Sequence, residues 1–170
     1  MRYQHVTHQD IAPFYDPDSR ILILGSLPSI GSRKAHFYYA YRTNRFFAVL
    51  ASLFEEKEPL GTEERKAFLK RHHIALYDVI WECDIQASSD SSIRNAVPND
   101  LSLIRKQAKI QAVFTTGKTA SRLYREYDGE DNIELPSPSA ANAAMSLLKL
   151  KEAYSVILPY LSSSEKGKTR

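Results

Sequence analysis

Cysteine is nearly absent from this chain: Cys83 is the only one in 170 residues. A single thiol makes no internal disulfide and cannot supply the multi-thiolate sets that hold iron–sulfur clusters or structural zinc. No metal and no cluster is therefore expected, and the cysteine usage fits a reducing, cytoplasmic home. Long apolar runs are missing too. No segment approaches the roughly 20 apolar residues that cross a bilayer, and the opening "MRYQHVTHQDIAPFYDP" holds no apolar run of signal-peptide length. A soluble protein with no membrane partner is expected. Glycine is sparse, and the few present build neither a G-x-G-x-x-G dinucleotide fingerprint nor the Gly-Lys-Ser/Thr ending of a phosphate loop. Charge of one sign is scarce as well. The balance of 23 Lys and Arg against 20 Asp and Glu leaves +3, compatible with a polyanionic partner but not diagnostic of one.

What is present is enough apolar material for one core, 43% of the residues. A single domain over residues 1–161 is expected, followed by a flexible polar tail at 162–170, "SSSEKGKTR". Four short runs read as strands: "RILILG", continuous and apolar as a buried strand is, then "IALYDVI", "IQAVFTTG" and "NIEL". Between them lie helical patterns. Phe46, Phe47, Leu50, Leu53 and Phe54 fall on one face after Asn44. Thr62 can cap a helix whose first turn carries Glu63 and Glu64 and which reaches about His72, and Asn99 or Asp100 can cap "LSLIRKQAK". "KTASRLYREY" is another helix, and "PSPSAAN" leads into one that Pro159 blocks. The segment "WECDIQASSDSSIRNAVPND" has no steady period and reads as a long loop. Strands alternating with helices imply an α/β fold, a three-layer α/β/α sandwich around a central four-stranded parallel sheet.

Ligands in such sheets bind outside the carboxyl ends of the strands. "GSLPS", "TTG" and "PSPSAAN" all fall there, and the first is followed by the aromatic cluster "HFYYAY" and by "TNRFF". A small polar turn beside crowded aromatics suits a planar base lifted out of a nucleic-acid stack. On the residues alone Gly25 and Pro28 can equally be plain turn formers, Tyr39 a core tyrosine and Asn44 a helix N-cap.

Three ordered blocks carry a more specific resemblance: Gly25 to Ser29 with Phe37 to Tyr39 and Asn44 to Phe46; "LYDVI" through "DSSIRN" and "PND"; and "LPSPSAAN". Together they resemble the uracil-DNA glycosylase superfamily, most closely its hypoxanthine-DNA (deoxyinosine) glycosylase branch. The resemblance implies a uracil-DNA glycosylase-like fold and hydrolysis of the N-glycosidic bond of a deaminated base in DNA during base excision repair. Hypoxanthine is the expected base, with uracil and xanthine as further substrates. Water is the nucleophile, no cofactor is needed, and a monomer acting on DNA is expected. Lys34 is the one lysine within the blocks' core and reads as surface, so no Schiff-base lyase step is expected.

Carried onto this chain, the resemblance makes Asn44 the catalytic residue. Gly25, Ser26, Leu27, Pro28 and Tyr39 become base-binding, with Tyr39 as the ring beneath the flipped base. Ser29, Ser137, Pro138, Ser139 and Asn142 become DNA-binding. Three departures stand out. Leu27 occupies the place where related branches carry a water-orienting asparagine, a role leucine cannot fill. The branch's "H-P-R-N-R-F-W" is here "YRTNRFF", so loop shape and base preference are expected to differ. Ala140 and Ala141 are small where relatives place a bulky wedge. Arg33, Lys34, Arg42 and Arg45 flank the turn as phosphate contacts would. Asp78, Glu82, Asp84 and Asp90 are acidic residues of the second block with local hydrogen bonding as their expected use. Two rival readings differ in class: a non-catalytic DNA-lesion binding protein, motivated by Leu27, and a small nucleoside or ester hydrolase, motivated by the serines. The second lacks a G-x-S-x-G elbow.

Overall fold

In the computed structural model, which describes residues 2–162, the four apolar runs form the expected parallel sheet. The strands are β2 (Ile21–Gly25), β3 (Ile74–Asp78), β6 (Ala112–Thr116) and β7 (Ile133–Leu135), in the order β3-β2-β6-β7. Every residue of β2 and β3 is buried. Side chains of a strand alternate between faces, so full burial means that both faces are covered, and an uninterrupted apolar run is the sequence this environment selects. The register sets Ile21 against Ile74 and Ala112, and Gly25 against Asp78. Strand β2 thus lies at the centre, with its last residue level with the ends of its neighbours.

The helices follow the amphipathic patterns. Helix α2 (Phe46–Leu53) buries Phe46, Phe47 and Leu50 completely and packs on α6 (Leu147–Tyr154). Helix α3 (Thr62–Arg71) lies on β3, and α5 (Lys118–Asp128) on β6 and β7. Two helices are shorter: α1 (Ile30–Ala35), which follows β2 and is capped by the Ser29 hydroxyl, and α4 (Ser102–Gln107), which precedes β6 and whose first amide is taken by Asp100. A last turn, α7 (Leu158–Leu161), holds Pro159 in its first turn. Proline is favoured there because its missing N–H would be unsatisfied anyway, so Pro159 starts a helix instead of ending one.

Three further expectations need correction; Gly61, not Thr62, stands at the cap of α3, and no side chain caps it. The polar segment read as a long loop contains β4 (Ile80–Ile85) and β5 (Arg94–Pro98), which pair antiparallel. With β1 (Gln4–Thr7) they form a second sheet, in the order β1-β4-β5. Its period was hidden because the β4–β5 ladder shifts register between Ile80 and Glu82 and again between Glu82 and Asp84, which breaks the alternation a strand should show. The helix expected to follow "PSPSAAN" directly begins only at Leu147, under a Ser146 cap whose hydroxyl accepts from the Lys149 amide at 3.2 Å. Residues 136–146 are a separate loop. The expected polar tail lies, from residue 163 onward, outside the described residues.

Candidate active site at the strand ends

Three loops meet above the carboxyl ends of the parallel strands. The turn after β2 carries Gly25, Ser26, Leu27 and Pro28. The Gly25 carbonyl accepts from the Val79 amide at 2.8 Å and the Ser26 carbonyl from Ile80 at 3.0 Å, which fixes the turn to the β3–β4 junction. Asn99 holds the same junction: its Nδ2 donates to the carbonyls of Asp78 at 2.8 Å and Ile80 at 3.0 Å. The Ser26 hydroxyl donates to Asp90 at 2.9 Å, so the β4–β5 connection reaches back to the turn. Leu27 is half-buried and Pro28 buried, whereas Ser29 is exposed and serves as the α1 cap.

Adjacent aromatics cannot all face one pocket, and the structure sorts them. Phe37 is buried against Phe14, with ring centroids 5.9 Å apart. Tyr38 is buried and its hydroxyl donates to the Ala12 carbonyl at 2.8 Å. Tyr41 is exposed, its side chain lying over Gly31. Tyr39 is half-buried, and its ring stacks on Phe46 at 3.9 Å and 12°. Its hydroxyl meets Thr116 Oγ1, at the end of β6, at 3.0 Å. Burial and the nearby Asp78 charge push the phenol well above its ordinary pKa, so it stays neutral. Tyr39 also has φ 51°, a left-handed conformation that is rare and costly for an aromatic residue. Such strain concentrates at functional sites, and here it separates Tyr39 from the course of Phe37 and Tyr38.

Asn44 is half-buried just before α2, and its Oδ1 accepts from the Phe46 amide at 2.9 Å. Arg45, not Asn44, stands at the N-cap position, so Asn44 takes the first helical amide from one residue further out, and what the carboxamide still offers is its Nδ2 donor pair. Arg45 behaves differently from the phosphate contact its position suggested. Its main-chain amide donates to the Pro138 carbonyl at 3.0 Å, and its guanidinium donates to Ser139 at 2.9 Å, to Asn142 at 3.1 Å and to the Met145 carbonyl. These bonds shape residues 136–146.

That loop holds the remaining expected residues. Pro138 is buried, so its part in the loop is to supply the carbonyl that Arg45 binds. Ser137, Ser139 and Asn142 are half-buried. Ser137 Oγ accepts from the Ser139 amide at 3.2 Å, Ser139 Oγ from the Ala141 amide at 3.2 Å, and Asn142 Nδ2 donates to the Ser137 carbonyl at 3.0 Å. Tyr154 of α6 supports the loop by donating to the Pro136 carbonyl at 2.8 Å. A Cβ on Gly117, after β6, would meet Ser137 Cβ at 3.8 Å, so the loop passes close over that strand end.

Two residues enter the site that sequence reasoning missed or passed over. Asp78 ends β3 and is buried, and its Oδ2 lies 2.7 Å from His8 Nε2. His8 follows β1, and its Nδ1 donates to the Ile11 carbonyl at 2.9 Å. Each imidazole nitrogen thus faces an oxygen acceptor, which is the environment of an imidazolium paired with a carboxylate. Burial alone would lower the His8 pKa; the hydrogen bond to Asp78 and its charge outweigh that, and the net shift is upward. Nothing around a lone histidine in "VTHQD" announces this pairing, which spans seventy positions. The sole cysteine plays no comparable part: Cys83 is buried and its thiol is pushed up to about 11, by burial first and by Asp84 and Asp90 second.

A hollow of about 810 Å³ lies at the other end of the sheet, lined by Arg20, His73, Gln111 and Glu130. Doubly covered parallel sheets bind at their carboxyl ends, where Gly25, Tyr39, Asp78 and the 136–146 loop converge. Among the described residues no group of His, Cys, Asp and Glu has the makings of a metal site, and no helix is long and apolar enough to cross a membrane.

Comparison with known proteins bears on the family and the fold. The family model of the Uracil DNA glycosylase superfamily matches residues 12–162. A hypoxanthine DNA glycosylase of Methanosarcina barkeri is 31% identical over 137 residues, covering 78% of this chain and 87% of its own. One from Methanosarcina acetivorans is 31% identical over 139 residues, covering 77% and 85%. A solution NMR structure of a Methanosarcina acetivorans protein described as a candidate uracil DNA glycosylase superposes with a TM-score of 0.72 at 27% identity, covering 87% of this chain and 96% of that one.

Proposed function

Because this chain belongs to the uracil DNA glycosylase superfamily and is a DNA glycosylase, we propose that it removes deaminated bases, hypoxanthine above all, with uracil and xanthine as further substrates. The observation that carries the reading is Tyr39. Its ring is backed by Phe46, set by a left-handed backbone and left partly accessible at the strand ends, as a platform for an extruded base requires. Gly25 to Pro28 form the wall beside it, and Ser29, Ser137, Pro138, Ser139 and Asn142 belong to the two loops that approach the DNA strand.

In the reaction the N9–C1′ bond of deoxyinosine breaks, the base leaves with the electron pair and takes a proton, and a water oxygen bonds to C1′. Cleavage of this kind passes through an oxocarbenium-like sugar, so the site must favour a departing anion. Asn44 supports that need. With Oδ1 engaged at the Phe46 amide, its Nδ2 is the group able to donate to the leaving base. This also accounts for Leu27, because a donor to the base does not have to orient the water. The protein acts as a monomer in the cytoplasm on this reading, and needs no cofactor.

The test is single-turnover release from duplexes holding one deoxyinosine or one deoxyuridine. Asn44→Asp keeps an acceptor for the Phe46 amide and removes both donors. The expected outcome is an unchanged unfolding midpoint with release reduced about a hundredfold or more, the usual scale for losing a transition-state donor. Release at the wild-type rate would refute the role of Asn44.

A further inference from the structure

Extruding one base breaks the stack on both of its faces, and each neighbour loses a partner that something must replace. The 136–146 loop offers little for that purpose, since Ala140 and Ala141 are small. The aromatic segment offers more. Tyr41 is 55% exposed, and among the described residues its ring stacks on no other ring and its hydroxyl has no hydrogen bond. Its seat is nonetheless built. A Cβ on Gly31 would stand 2.8 Å from Tyr41 Cδ2 and 3.1 Å from Tyr41 Cα and Cβ, so a side chain at position 31 would push the tyrosine off helix α1. Glycine weakens a helix, and this close approach is what its presence in α1 serves.

The main chain fixes the seat from both sides. The Ala40 amide donates to Ser32 Oγ at 3.3 Å, and the Tyr41 carbonyl accepts from the Asn44 amide at 2.9 Å. Tyr41 therefore lies between α1, which follows the Gly25–Pro28 turn, and Asn44. Its surroundings suit DNA. No Asp or Glu occurs between Asp18 and Glu55, while Lys34 and Arg42 are exposed, so phosphates meet cations and no carboxylate of this segment. Ile30, next to Gly31 in the chain, is 45% exposed and adds apolar surface. Tyr39 stands two residues before Tyr41, and two residues of chain span at most about 7 Å. That length is on the scale of one nucleotide step, about 3.4 Å when stacked. With the extruded base on Tyr39, the next base of the same strand is the nearest planar surface to Tyr41.

We infer that Tyr41 is a second stacking platform: the free face of its ring takes the base next to the extruded one in the same strand, and the Gly31 seat holds the ring in place to receive it. Stacking of a base on an aromatic needs only a π-face, so any of the four bases serves as the neighbour. The platform responds to the gap that extrusion leaves and not to the damage, and discrimination among bases stays with the pocket. Tyr41 is here a positioning residue, holding the strand open without touching the reacting atoms. The inference rests on the glycosylase reading above.

The test crosses a change in the protein with a change in the DNA. Single-turnover release of hypoxanthine is measured for wild type and Tyr41→Ala on three duplexes: one complete, one with a tetrahydrofuran spacer immediately 5′ of the deoxyinosine, and one with the spacer immediately 3′. On the complete duplex Tyr41→Ala is expected to release about tenfold to a hundredfold more slowly. On one of the two spacer duplexes, where the base that Tyr41 meets is gone, the wild-type and variant rates are expected to agree within about threefold. Taking the ratio of the two proteins cancels whatever the spacer itself does to extrusion. An equal ratio on all three duplexes overturns the inference, because a change that merely displaced Asn44 or loosened the fold would slow every substrate alike. Equal rates of the two proteins on the complete duplex overturn it as well. Tyr41→Phe keeps the ring and is expected to recover most of the loss, and a Tyr41→Phe variant as slow as Tyr41→Ala would assign the effect to the hydroxyl and overturn stacking. No release by the wild type from any of the duplexes would instead refute the glycosylase reading itself, and this inference with it.

Discussion

At the scale of the residue, Tyr39 joins two separable jobs in one side chain. Its ring backs onto Phe46 and its hydroxyl ties the aromatic segment to Thr116 on β6. Tyr39→Phe keeps the ring and removes the tie, which should lower the unfolding free energy by about 1 kcal/mol and leave release nearly unchanged. Tyr39→Ala removes the platform, and stacking of a base on an aromatic is worth roughly 1–3 kcal/mol, so release should fall about tenfold to a hundredfold. Denaturant titration beside single-turnover release separates the two. Equal losses of release in both variants would mean that the hydroxyl, not the ring, serves the base. Much of this was legible in the sequence: Asn44 at a helix start, aromatics before it, and the glycine-serine turn ending a buried strand. The choice among Phe37, Tyr38 and Tyr39 was not, because it depends on a left-handed φ at a residue type that rarely adopts one.

At the scale of the element, the 136–146 loop is shaped from outside itself. Arg45, at the start of α2, donates to carbonyls across the loop, and α6 contributes Tyr154. The sequence offers no sign of this: an arginine beside a DNA-binding turn reads as a phosphate contact, and carbonyl acceptors nearly a hundred positions away leave no pattern. The two roles predict different salt behaviour. Arg45→Ala should weaken binding of abasic-analogue DNA and cost roughly 1.5–3 kcal/mol of stability, since hydrogen bonds to a charged donor are lost. The slope of log affinity against log salt should nevertheless stay at the wild-type value, because a guanidinium spent on carbonyls releases no counterion. A slope smaller by about 1 would make Arg45 a phosphate contact after all.

At the scale of the whole molecule, the parallel sheet carries the candidate site and the antiparallel sheet leads the chain to it. Strands β2 and β3 were readable because each is a short apolar run, a pattern that burial on both faces selects, while the only partly buried β6 and β7 were read from the briefer runs "AVF" and "NIEL". The second sheet was not readable. Strand β5 has no fully buried residue, β1 has only Val6, and β4 is interrupted by register shifts. Yet the chain just beyond β1 delivers His8 to Asp78, which couples the two sheets to the pH dependence of folding. The folded-state pKa of His8 lies above its ordinary 6.5. Its contribution to stability is therefore fully present below about pH 6.5 and is lost as pH rises through the raised value. Unfolding midpoints across that window should decline in the wild type, and the part of the decline owed to His8 should be missing from the His8→Leu, Asp78→Ala variant. Identical pH profiles would show that the pair does not titrate with folding.

On the proposed reading, water, assisted by this chain's own side chains, cuts the glycosidic bond of a deaminated base in DNA. Its most direct test is the chemical identity of what wild-type protein releases from a duplex carrying one deoxyinosine. Free hypoxanthine, with an abasic strand that stays intact until treated with alkali, is the predicted result. No free base, or strand cleavage without alkali, would contradict it.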